Sequence, residues 1–69
     1  MPLTMVQAGE KKIIKNINGK DEIKKFLETL GFVIGSTVII VSEMSGNIIV
    51  NIKDTRVAIS KTMANRIMV

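Results

Sequence analysis

Asp21-Glu22-Ile23-Lys24-Lys25-Phe26-Leu27-Glu28-Thr29-Leu30-Gly31-Phe32-Val33-Ile34-Gly35-Ser36-Thr37-Val38 is the stretch in which the chain changes its hydrophobic period. In its first half Ile23, Phe26, Leu27 and Leu30 recur at i, i+3, i+4 and i+7, which lines one side of a helix. Lys24, Lys25, Glu28 and Thr29 lie off that stripe. A helix over 21–30 is therefore predicted. Asp21 is placed to accept a bond from an orphan backbone N–H as N-cap, and its charge suits the positive helix end. Gly31 follows the last stripe residue, where a left-handed C′ position favours glycine. Gly35 reads as a second special backbone position in the connector to the next strand. The two glycines leave a helix rather than lead into one, so they do not make a phosphate loop.

Downstream, Thr37 to Ser42 reads as a strand apolar on both faces (Val38, Ile39, Ile40, Val41), hence central or covered. Ser45-Gly46-Asn47 is a hairpin turn. Ile48 to Lys53 alternates, Ile48, Val50 and Ile52 against Ile49, Asn51 and Lys53. Asp54-Thr55 predicts another tight turn, and Arg56 to Ile59 a short strand with Val57 and Ile59 on one face. Ser60 to Asn65 reads as one helical turn capped by Ser60, and Arg66 to Val69 as a last strand with Ile67 and Val69 inward. Upstream, Lys11 to Ile17 reads as one strand, Ile13 and Ile17 on one face and Lys12, Ile14 and Asn16 on the other, ended by Asn18-Gly19. Leu3 to Gly9 is an opening segment closed by a turn at Ala8-Gly9-Glu10.

The expected fold is mostly β, one domain over residues 1–69. It has about five short antiparallel strands, one α-helix after the first strand and a short helical turn before the last. Such strands cannot bury their apolar faces as one open sheet. Curling into a small SH3-like barrel solves this and removes edges, with the helix plugging one side.

Composition agrees. A chain of 69 residues lies near the lower size limit for folding without a staple. It has no cysteine and no histidine, which excludes disulfides and Cys/His zinc sites. The core must suffice, and 46% of residues are hydrophobic with only 3% aromatic. Most of them are Ile, Val, Leu and Met, and the β-branched ones favour a pleated surface. No run approaches the roughly 20 apolar residues that span a bilayer. No basic-then-apolar leader is expected, as residues 1–4 read as the entry to the domain. A cytoplasmic location is expected.

Chemistry is sparse. The carboxylates are Glu10, Asp21, Glu22, Glu28, Glu43 and Asp54, and no spacing among them suggests an acid–base pair. No catalytic, cofactor-binding or metal-binding residue is expected, and no enzyme activity. The five methionines read as core filling and a start codon. The net charge of +4 and pI near 9.8 would suit a nucleic acid, but Lys11, Lys12, Lys15, Lys24 and Lys25 read as solvated faces without stacking aromatics. What remains is an interaction module. Leu27, Leu30, Phe32 and Ile34 are more large apolar groups than so small a core is expected to hide, and partial exposure there would mark a partner site.

The run from Phe26 to Val38 resembles the signature of the FeoA family: a helix ending in Leu-x-x-Leu-Gly, an apolar residue, two variable positions, then Gly and a strand. Leu27, Leu30, Gly31 and Gly35 carry it. Arg56-Val57-Ala58-Ile59-Ser60 is similar to the family's Arg-Leu-Ala-Leu segment, with Ala58 at its centre. Ala64 through Ile67 to Val69 is similar to its closing strand. Pro2-Leu3-Thr4 and Gly9-Glu10 match its opening. Members often carry Gly-Tyr where this chain has Asp54-Thr55, and are often arginine-rich around the helix where it has Lys24-Lys25. The resemblance implies a small cytoplasmic SH3-like barrel that serves ferrous-iron uptake as an accessory or regulatory protein. Its implied partner is FeoB, a membrane ferrous-iron transporter with a cytoplasmic G-protein domain. The same barrel occurs as the C-terminal domain of metal-dependent repressors of the diphtheria-toxin-repressor type. The alternatives are a small-barrel nucleic-acid binder and a regulatory partner of a metal-dependent repressor.

Overall fold

In the computed structural model, which describes residues 1–69, a short 3-10 turn at Leu3–Met5 precedes six strands and two helices. In chain order these are β1 (Lys11–Ile13), β2 (Asn16–Ile17), α1 (Asp21–Thr29), β3 (Thr37–Met44), β4 (Asn47–Ile52), β5 (Thr55–Ser60), α2 (Lys61–Ala64) and β6 (Ile67–Met68). The strands form a four-stranded antiparallel sheet ordered β1-β3-β4-β5 and a two-stranded sheet of β2 with β6. The two sheets and α1 enclose a core whose buried residues are all apolar, which makes the small SH3-like barrel that was expected.

The strand expected over 11–17 is broken into two. Ile14 exchanges backbone bonds with the connector after α1: its N–H donates to the Ser36 carbonyl at 2.9 Å, and its carbonyl accepts from Gly35 N–H at 2.8 Å. One residue later the Lys15 N–H donates to the Met68 carbonyl at 2.8 Å, so the chain has crossed to the other sheet. The crossing changes the phase of burial. Ile14 and Ile17 point inward, while Ile13, expected to share a face with Ile17, is 58% exposed.

Strand β3 is central, as its two apolar faces predicted, and Val38 and Ile40 enter the core. A bulge at Val41 shifts the register so that Ile40 faces Val50 but Ser42 faces Ile49. The extra residue adds twist, which small barrels need in order to close.

Both hairpins turn through two residues. Met44 pairs with Asn47 around Ser45 (φ 47°) and Gly46 (φ 84°). Ile52 pairs with Thr55 around Lys53 (φ 50°) and Asp54 (φ 62°). Positive φ at both central positions is the type I′ geometry, whose twist matches the strands it joins. The second turn is therefore Lys53-Asp54, one residue earlier than Asp54-Thr55. Neither residue is glycine, and a left-handed L-residue carries a cost of about 1 kcal/mol. The family pattern noted above places its glycine at the Asp54 position.

The helix begins one residue earlier than expected in its capping. Lys20 holds the N-cap position with no side-chain bond, and Asp21 is the first helical residue. Asp21 and Glu22 still place two carboxylates in the first turn, where the helix dipole favours them. Ser60 caps α2 as expected, its hydroxyl accepting from Met63 N–H at 3.2 Å. Ile67 and Val69 are inward, also as expected.

The left-handed pair at Lys53-Asp54 makes a direct prediction. Lys53→Asn with Asp54→Gly should raise stability by about 1–2 kcal/mol, because Asn-Gly accepts type I′ geometry with less strain. Urea unfolding would show a higher midpoint at unchanged slope. An unchanged or lower midpoint would mean that the turn is not strained.

Candidate functional site

The helix end organises the most distinctive part of the chain. Leu30 is the C-cap of α1, with helical φ of −85°. Gly31 follows at φ 103°. Its N–H donates to the Glu28 carbonyl at 2.9 Å, and the Phe32 N–H reaches back to the Leu27 carbonyl at 2.9 Å. These two bonds, from C′ to C2 and from C″ to C3, make a Schellman motif. Such a motif is accompanied by an apolar contact between C3 and C″. Here those positions are Leu27 and Phe32, both fully buried. The Leu-x-x-Leu-Gly-Phe pattern is thus a helix stop with its apolar lock. Gly31 is required by its dihedral angle rather than by crowding: a Cβ there would come no closer than 3.6 Å to Ile52 Cγ2. Gly35 at φ 92° makes the second left-handed step, in open space.

This geometry corrects the expected contact surface. Leu27 and Phe32 belong to the core and present nothing to a partner. Leu30 is half-buried against it, and Ile34 is 65% exposed. Phe26, assigned to the buried stripe, is 51% exposed. On a helical wheel Ile23, Leu27 and Leu30 cluster, and Phe26 lies at the stripe's edge. A nine-residue helix on so small a barrel covers its core with a narrow strip only. Ile13 is also exposed; it faces Thr37 across β1 and β3, so its backbone lies close to the connector that carries Ile34. The exposed large apolar groups are Met1, Met5, Ile13, Phe26, Ile34 and Met44, so the methionines at 1, 5 and 44 do not fill the core; Phe26 and Ile34 flank the helix stop, where Leu30 is half-buried. No periodicity distinguishes Phe26 from its buried neighbours, and Ile13 was masked by the strand break.

The outer face of the four-stranded sheet carries a different surface. Cross-strand register lines up Lys11, Ile39, Asn51 and Arg56 in one row across the sheet. A shallow groove of about 400 Å³ beside it is lined by Lys11, Ser36, Thr37, Ile39, Asn51, Lys53 and Asp54. The two ion pairs, Lys12 with Glu10 at 3.8 Å and Lys61 with Glu43, involve neither Lys11, Lys53 nor Arg56. Ala58 sits on the same outer face, exposed, near the middle of β5.

The carboxylates stay apart: no three acidic residues approach closely enough to hold a metal ion together. Ferrous iron, were the chain to serve its transport, would be cargo rather than a resident ligand. This chain offers it neither imidazole nor thiolate. No helix is long and apolar enough to cross a membrane.

The family model of the FeoA domain matches residues 1–69. The chain belongs to the FeoA family. A protein of Methanocaldococcus jannaschii provisionally named Fe(2+) transport protein A is 31% identical over 68 residues, covering 99% of this chain and 83% of that one. A crystal structure of an iron uptake regulatory protein, FeoA, superposes with a TM-score of 0.90 at 34% identity, over 97% of this chain and 89% of that one. A Stenotrophomonas maltophilia FeoA complexed with zinc and described as an SH3 domain protein is similar in fold, with TM-score 0.84 and 24% identity over 99% of this chain and 87% of that one. A manganese-dependent transcriptional repressor contains the same fold, with TM-score 0.87 and 18% identity, this chain covering 39% of its length. The SH3-like fold is thereby shared with FeoA structures and with a domain of the repressor, and membership of the FeoA family associates the chain with ferrous-iron transport.

The division of the helix into core and rim is testable. Leu27→Ala should cost about 2–4 kcal/mol by opening a cavity, whereas Phe26→Ala should change stability by no more than about 0.5 kcal/mol. Equal losses in chemical denaturation would show that Phe26 is packed after all.

Proposed function

We propose that this chain is a cytoplasmic accessory or regulatory protein of ferrous-iron uptake, acting by contact with a FeoB-type transporter rather than by chemistry of its own. Membership of the FeoA family is the observation that carries this reading. Three features support the mode of action. The chain has neither histidine nor cysteine, its carboxylates are dispersed, and large apolar side chains stand exposed beside a rigid helix stop. Phe26 and Ile34 are held by the Schellman turn and the Gly35 step, so a partner meets a preformed surface with little ordering cost. Leu30, half-buried between them in sequence, completes the proposed contact set. Leu27 and Phe32 support that surface from below without touching the partner.

The nucleic-acid alternative draws on the uncompensated cations Lys11, Lys53 and Arg56. It lacks an exposed aromatic beside them, because Phe32 is buried and Phe26 belongs to α1. Binding of that kind would weaken steeply with salt.

Titration of the labelled chain with the soluble G-protein domain of the cognate transporter is the test. Saturable NMR shifts are expected around Phe26, Leu30 and Ile34. Phe26→Asp and Ile34→Asp, both on exposed sites, should keep the fold and weaken binding by about tenfold, in keeping with loss of an interface anchor. Deleting the chain from a strain without a second copy should reduce ferrous-iron uptake. Wild-type uptake in that strain would overturn the proposal.

A further inference from the structure

The four-stranded sheet ends in two unlike edges. On β1 the edge is three residues long, carries Lys11 and Lys12, and is cut off by the break at Ile14. Shortness, lysine and a kink are the ways in which sheets keep an edge from recruiting another strand. The β5 edge has none of these devices. It runs six residues, Thr55–Ser60, with Arg56 its single charge.

The bonding pattern shows what that edge presents. Ile52 and Thr55 flank the two-residue turn, so they form a hydrogen-bonded pair, and bonding alternates from there. Val50–Val57 and Ile48–Ile59 are the other bonded pairs. The N–H and C=O groups of Arg56 and Ala58 therefore point away from β4. No loop, cap or turn bond elsewhere in the chain uses any of the four groups, and β5 pairs with no strand but β4. Both residues are exposed.

We infer that the β5 edge is a strand-addition site that takes an extended segment of an acidic partner protein. Charge selects the occupant. Arg56 has no carboxylate partner, and the chain carries a net +4, which opposes pairing with a second copy of itself. An incoming antiparallel strand places one side chain beside Arg56 on the outer face, where a carboxylate is favoured. On the inner face its side chains lie beside Val57 and Ile59. Val57 is only partly buried against the core, so an apolar residue there extends the core cover. The segment recognised is thus extended, apolar at alternate positions and acidic opposite Arg56. Main-chain bonds supply affinity and the alternating side chains supply selectivity.

The test is an NMR titration of the full chain with the capped peptide acetyl-Thr-Ser-Val-Thr-Val-Glu-Glu-amide. Saturable shifts and slowed exchange are expected at the Arg56 and Ala58 amides. Replacing both peptide glutamates by lysine should weaken binding at least about tenfold, the loss expected for a charge-assisted contact. Ala58→Pro removes one donor at an edge position that tolerates proline, and should abolish the response while Ala58→Val keeps it. The lysine peptide makes the same comparison without altering the chain. Absence of saturable shifts at millimolar peptide, or shifts centred on Phe26 and Ile34, would overturn the site. Concentration-dependent shifts at Arg56 and Ala58 without peptide would overturn the assigned occupant in favour of a second copy.

Discussion

The fold rests on how α1 stops. A helix of nine residues has too few turns to be stable alone, so it forms only because its stripe is buried. Burial in turn requires that the chain leave the helix in one direction. The Schellman bonds of Gly31 and Phe32 set that direction and place the Phe32 ring in the core beside the elements that Leu27 already meets. From there Gly35 bends the connector so that its backbone bonds Ile14. That bond breaks the first strand and sends it from one sheet to the other. Helix stop, connector and strand break are therefore one linked construction.

The rest of the barrel answers a size problem. The chain has no disulfide, and its core must come from β-branched residues on short strands. Two-residue I′ turns, a bulge at Val41 and the break at Ile14 each add twist where a flat sheet would leave apolar faces open. The left-handed Lys53-Asp54 turn shows how tightly this is drawn. The register of β4 and β5 allows only two residues there, so two ordinary L-residues accept positive φ. Local strain is offset by six cross-strand pairs that place Val50, Ile52 and Ile59 in the core.

What could be read in the sequence follows from how local each cause is. The helix stop is local: a stripe, a glycine and a following Phe lie within the ten residues 23–32. The Ser45-Gly46 turn is likewise carried by its own residues, and so is the Ser60 cap. The Lys53-Asp54 turn was displaced by one residue because its conformation is imposed by strand register rather than by turn formers. The break at Ile14 was invisible because Ile13 and Ile14 are both apolar, and the choice between them is made by Ser36, Gly35 and Met68, distant in sequence. Phe26 and Phe32 exchanged places for a similar reason. Periodicity locates a stripe but not its edge, and a residue after the helix gains its burial only through the Schellman turn.

The surface was least legible because exposure of a backbone edge depends on strand order, which no single segment encodes. Once the order β1-β3-β4-β5 is set, one edge falls to lysines on a short broken strand and the other to Arg56-Val57-Ala58-Ile59. A barrel of this size could have covered the second edge with α2, which follows it directly. Instead α2 ends after four residues and the chain turns to β6, leaving the Arg56 and Ala58 amides uncovered. The exposed Phe26 and Ile34 pose the same problem on another part of the molecule. Phe26 and Ile34 place large apolar side chains outside the core at one site, whereas the β5 edge exposes backbone groups beside Arg56 and Ala58. Neither feature adds to the stability of the isolated barrel, and contact with other proteins, as proposed above, is the role that would use both.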